Sequence, residues 1–172
     1  MKKKVKIGIL GGSFDPAHKG HLAISKEAKR RFDLKKIIWA ITKRNPLKAE
    51  SKTPISKKIK DCKNIIGINS FIKVKFYEDI IKSNKTIDLI NYLKKNDGIE
   101  IYFLMGADNL INFHKWHKSK LILQKCNILV FDRHGYKKNS LKSKTFKRLN
   151  NKTLTFVEFK KVNISSSQLR KI

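Results

Sequence analysis

The residue types best suited to chemistry lie close to the start of the chain, in the segment GGSFDPAHKGH that runs from Gly11 to His21. An apolar run, Val5 to Leu10, comes before it, and an amphipathic stretch with Leu22, Ile24 and Ala28 comes after it. The segment is therefore expected to be the turn between a buried strand and a helix that starts near Gly20. In an open α/β sheet, ligands bind at such places, at the carboxyl end of a strand and beside a helix N-terminus. Glycines allow the backbone to come close to a ligand, and the amides of a first helical turn favour an anion. His18 and His21 stand three apart as the helix begins, so both imidazoles can face that anion. The spacing matches neither Gly-x-Gly-x-x-Gly nor Gly-x-x-x-x-Gly-Lys-Ser/Thr, which excludes the dinucleotide fingerprint and the P-loop.

The rest of the chain reads as the frame for this turn. Strand-like runs cover Lys36–Ile41, Phe71–Phe76, Ile99–Met105, Asn127–Phe131 and Leu154–Val157, while helical spacing covers Ile55–Ile66, Thr86–Lys95 and residues 109–125. Residues 42–54 hold two of the three prolines and read as a loop. Residues 135–152 are polar and Lys-rich, a surface excursion, and Ser165–Ser167 would cap a short last helix. Alternating strands and helices predict an α/β fold, a mostly parallel sheet with helices on both faces. A length of 172 residues fits one domain, 1–172.

Composition excludes some classes of function and leaves others weak. No run of apolar residues is long enough for a membrane helix, so no membrane partner is expected. Cys62 and Cys126 are too few and too far apart for a disulfide framework or a zinc site, which suits a reducing, cytoplasmic setting. The formal net charge of +28 invites a nucleic-acid reading. Against it, 35 of the 41 basic residues are Lys, and the charge is spread, +16 over residues 1–86 and +12 over 87–172. Salt-sensitive attraction to anions is expected, and no specific nucleic-acid partner.

Two motifs carry a family resemblance. His18-Lys-Gly-His21 resembles the His-x-Gly-His signature of the nucleotidyltransferase superfamily, and Ile164-Ser-Ser-Ser-Gln-Leu-Arg170 is similar to its second signature, Ile-Ser-Ser-Thr-x-x-Arg. Between them Asn45-Pro-Leu-Lys48, Phe103-Leu-Met-Gly-Ala-Asp-Asn109, Trp116 and Asp132-Arg133 resemble bacterial nicotinate-nucleotide adenylyltransferases. The resemblance implies a single Rossmann-like domain that moves AMP from ATP to nicotinate mononucleotide, with Mg²⁺ arriving on ATP and no protein metal ligand. It also implies the roles. His18, His21 and Arg170 would be catalytic. Gly11, Gly12, Ser13, Phe14 and Gly20 would shape the ATP site with them, joined by Gly106, Asp108, Ser165 and Ser166. Asp15, Asn45, Lys48, Thr86 and Trp116 would meet the mononucleotide, and Thr86 could also cap its helix.

The chain departs from the family pattern in places. Ser167 stands for the usual Thr, Lys43 for a common proline, and Lys85 and Leu89 for a Tyr and a Thr that flank Thr86 and Asp88. The last two leave the acid or amide form of the acceptor open. A phosphopantetheine adenylyltransferase would usually carry Thr in place of His18 and would lack the Met-Gly-Ala-Asp segment and Trp116. With two residues after Arg170, the last helix is expected to be little more than a turn. Oligomeric state is not legible.

Overall fold

The computed structural model describes residues 2–44, 49–132, 137–143, 146–147 and 153–158. Its centre is a six-stranded sheet in the order β3-β2-β1-β4-β5-β6, with every adjacent pair parallel. The strands are β1 (Val5–Gly12), β2 (Lys36–Ile41), β3 (Ile72–Lys75), β4 (Ile99–Gly106), β5 (Asn127–Phe131) and β6 (Leu154–Val157). The helices are α1 (Lys19–Phe32), α2 (Ile55–Ile66), α3 (Glu78–Ile81), α4 (Thr86–Leu93), α5 (Ala107–Asn112), α6 (Ser119–Lys125) and α7 (Lys137–Lys142).

Strand alternation divides the core into two layers, because successive side chains point to opposite faces. Ile7 and Ile9 of β1, Ile101 and Phe103 of β4, and Ile128 and Val130 of β5 pack on one side with Ile87 and Ile90 of α4 and Ile122 of α6. Leu10, Leu104, Leu129 and Phe131 pack on the other, with Ile24 and Ala28 of α1 and Cys62 and Ile66 of α2. Gly8 has to be small. A Cβ there would lie 3.0 Å from Ile37 Cγ1 and from Leu34 Cδ1, both buried.

The order of the strands makes the site. From β1 the chain steps outward to β2 and β3, then crosses back through α3 and α4 to lay β4 on the other side of β1. Beyond the carboxyl ends of β1 and β4 the connections leave in opposite directions and open a crevice. Gly11 and Gly12 of β1 and Gly106 of β4 stand at that edge.

Most expected elements are present, and four differ. Residues 109–125 are not one helix. Lys118 takes a left-handed conformation (φ 53°) between a 3-10 turn at Phe113–Lys115 and α6. Helix α3, four residues long, was not expected, and the Lys-rich excursion contains α7. Thr86 does not cap α4. It is the first helical residue, Lys85 holds the cap position, and no side chain makes the cap hydrogen bond. The segment expected to form the last helix lies outside the described residues.

Candidate active site

The turn after β1 is held by its own histidines. His18 is the N-cap of α1, with extended backbone (φ −149°, ψ 168°), and its Nδ1 accepts the Gly20 amide at 3.1 Å. His21 Nδ1 in return accepts the His18 amide at 3.1 Å, completing a capping box in which imidazoles do the work usually done by Ser or Thr and Glu. Since each Nδ1 accepts a hydrogen, each neutral ring carries its proton on Nε2. The pair is thus set as two N–H donors. The ring centroids are 3.8 Å apart, and His18 is only 4% exposed.

Aromatic packing fixes the rings from behind. Phe14 has φ 47°, an uncommon conformation for a residue with a side chain, and its ring is buried. It lies 4.7 Å from His21 and stacks 5.1 Å from Trp39 of β2. Trp39 Nε1 donates to Ser25 Oγ at 2.8 Å, and Ser25 Oγ donates to the His21 carbonyl at 2.9 Å. With its ring turned into the core, Phe14 has only its backbone to offer a ligand.

An open cleft of about 390 Å³ adjoins this turn, lined by Gly11, Thr42, Tyr77, Glu78, Thr86 and Phe103 among others. A Cβ on Gly11 would come within 3.3 Å of the Phe103 ring, so the glycine keeps the cleft floor open. Thr86 stands at its wall, at the start of α4. Trp116 is half-buried one ring further on. It meets Phe103 edge to face at 5.9 Å and Phe113 at 5.2 Å. Glu78 was not anticipated from sequence. Burial pushes its carboxyl above the ordinary value, Oε2 accepts the Lys43 amide at 3.3 Å, and Oε1 is buried with no hydrogen-bond partner among the described residues.

Across the sheet switch, Gly106 is the N-cap of α5, and Asp108 lies in the first turn of that helix with a buried Oδ1. A carboxylate there complements the helix dipole whatever else it binds. Ser140 of α7 donates to the Ala107 carbonyl at 2.6 Å and ties the excursion to this corner. Asp15 is engaged within the protein: Thr53 Oγ1 donates to its Oδ1 at 2.7 Å, and Ser51 Oγ donates to its Oδ2. Ser13 and Gly12 complete the turn, and Gly20 lies inside α1. Asn45, Lys48, Ser165, Ser166 and Arg170 lie outside the described residues.

A reciprocally capped histidine pair thus stands at the switch point of an all-parallel sheet. A model described as cytidylyltransferase-like matches residues 9–172, and the chain belongs to that family, among its nicotinate-nucleotide adenylyltransferases. It is 68% identical over 171 residues to a probable nicotinate-nucleotide adenylyltransferase of Pelagibacter ubique, covering 99% of this chain and 95% of the relative. A relative of the same name from Clostridium botulinum is 34% identical, over 96% of this chain and 84% of its own length. Among solved structures, the nicotinic acid mononucleotide adenylyltransferase of Plasmodium falciparum complexed with NaAD has the same fold. Its TM-score is 0.80 at 23% identity, covering 97% of this chain and 83% of that one.

Proposed function

We propose that this protein transfers the adenylyl group of ATP to nicotinate mononucleotide, giving deamido-NAD and pyrophosphate. One observation supports the chemistry: the capping box holds two imidazoles side by side after β1, each with Nδ1 taken by a backbone amide and Nε2 left as the donor of the neutral ring. The attacking 5′-phosphate oxygen is already ionised at neutral pH, so no general base is required. Its lone pair forms the new bond to the α-phosphorus as the bond to the β-phosphate bridging oxygen breaks in line, and that oxygen leaves with pyrophosphate. Catalysis is then positioning and charge stabilisation.

In this reading His18 and His21 donate to the ATP phosphates, with His21 near the α-phosphate. The amides of the Gly11–Phe14 turn and of Gly20 line the same anion, while Gly106 and Asp108 take the adenosine. Ser165, Ser166 and Arg170 grip the β- and γ-phosphates, where a guanidinium can bind in two-point fashion. Thr86 and Trp116 bound the nicotinate end, and Asn45 and Lys48 meet the mononucleotide phosphate. Asp15 belongs to that side through the loop it holds. The donor set of the turn fits phosphate rather than a bare cation, because both histidines present N–H groups. Mg²⁺ would come with ATP, on phosphate oxygens and water, and supply charge neutralisation. In this reading the reaction runs in the cytoplasm.

The test is pyrophosphate release with ATP and Mg²⁺, offering nicotinate mononucleotide, its amide and phosphopantetheine in parallel. The acid should turn over fastest. Preference for another acceptor would keep the ATP half of the assignment and overturn the acceptor half.

A further inference from the structure

Lys58, on α2, has one of the largest fully buried side chains in the protein, at 1% exposure. Buried charges are found where something compensates them. Here its ammonium donates to the carbonyl of Thr42 at 3.3 Å and reaches that of Lys43 at 3.5 Å. Those two residues begin the connection from β2 to α2. From the other side Glu78, whose carboxylate feels the charge of Lys58, accepts the Lys43 amide at 3.3 Å. Lys43 Nζ adds an exposed pair with Asp79 at 3.1 Å. The start of the loop is thus held through its peptide groups, independently of what its side chains do.

The far end is held as well. Asp15 takes the hydroxyls of Ser51 and Thr53, and the Lys58 amide donates to Pro54 at 3.1 Å. Thr42 and Glu78 line the same cleft as Thr86. A connection held at Thr42 and Lys43 keeps Thr42 in the cleft wall it shares with Thr86 before any acceptor arrives, and such preorganisation raises affinity.

We propose that Lys58 is a positioning residue for acceptor binding: its buried ammonium sets the Thr42 and Lys43 carbonyls, and through them the wall of the cleft that Thr42 shares with Thr86. The inference rests on the proposed reaction but concerns the acceptor half alone. Lys58→Met keeps the apolar stem and removes the charge; Lys58→Gln keeps one donor; Lys58→Arg restores a cation. Steady-state kinetics well below the melting temperature should show the KM for nicotinate mononucleotide raised about tenfold or more in Lys58→Met. The KM for ATP should stay within about twofold, with an intermediate effect in Lys58→Gln and partial recovery in Lys58→Arg. The same split is expected for Ser51→Ala combined with Thr53→Val, at the other end of the loop.

Parallel changes in both KM values, or a fall in kcat that follows the folded fraction, would assign Lys58 to stability alone and overturn the proposal. A Lys58→Met protein that does not fold, with an unaltered mononucleotide KM in Lys58→Gln, would do the same. Titration of tryptophan fluorescence with nicotinate mononucleotide reads the loss of binding without turnover. A wild type that binds but turns over another acceptor refutes the reaction assigned above and not the role of Lys58. A wild type that binds none overturns both.

Discussion

Replacing His18 by Asn and by Ala separates the two roles that its two ring nitrogens perform. Nδ1 accepts the Gly20 amide as the helix cap, and in the proposed mechanism Nε2–H donates to a phosphate. Asn is itself a good N-cap, so His18→Asn keeps an acceptor for the helix and removes the distal donor. His18→Ala removes both, and either variant loses the ring that lies 3.8 Å from His21. What separates the two in stability is the cap, about 1 kcal/mol. For a domain of this size that is roughly 2–4 °C in melting temperature. Loss of one preorganised donor costs on the order of 10²–10³ in kcat. Both variants should therefore lose that factor in pyrophosphate release at saturating substrates, while His18→Ala should melt about 2–4 °C below His18→Asn. Retention of kcat within about threefold in His18→Asn would refute the phosphate role and leave His18 a cap. Equal melting of the two variants would refute the capping argument.

Other expectations are independent of the histidines. Ser25→Ala leaves the buried Trp39 indole N–H without its acceptor, which should cost about 1–3 kcal/mol; an unchanged melting temperature would contradict the bond. Burial pushes the thiols of Cys62 and Cys126 up to about 12. Both should resist a disulfide reagent at neutral pH in the folded protein and react together once it is denatured. Because the folded state keeps protons that the unfolded chain releases above the ordinary thiol value of 9.0, these thiols favour folding least as pH rises from there toward 12. A Cys62→Ala, Cys126→Ala double variant should lose that part of the alkaline fall in stability. DNA binding driven by the +28 charge should be weak and fall by orders of magnitude between about 50 and 200 mM salt; a sequence-dependent remainder would reopen the nucleic-acid reading.

Period and punctuation were enough to place β2, α2, β5 and β6 at their observed limits, because each is an uninterrupted apolar pattern between polar or Gly-rich stretches. The histidine pair was equally legible, since a spacing of three at a helix start brings the rings together. What escaped depends on contacts a local pattern does not contain. The apolar positions from Leu110 to Leu123 keep one rhythm across the left-handed Lys118 that breaks the helix. Thr86 looks like a cap because a hydroxyl precedes an apolar run, yet it is Ser83 that bonds nearby, to Asp88 at 2.6 Å and from the Lys85 amide at 3.1 Å. The tether of Asp15 to Ser51 and Thr53 spans more than 30 residues. Nothing marks Lys58 among 35 lysines until the fold buries it.

The return of the chain from β3 to β4 has a mechanical consequence. The register from Val5–Ile99 to Leu10–Leu104 is a seam between two halves of the sheet, β1 to β3 on one side and β4 to β6 on the other. His18 and His21 belong to the first half, and Asp108 and Trp116 to the second. In the proposed reading a dinucleotide lies across them as a clasp, and parting the halves would require letting it go. At a hundredfold excess over its Kd such a ligand raises the free energy of unfolding by about 2.7 kcal/mol. That gain is shared by both halves, because unfolding either one takes away part of the surface the ligand would rest on.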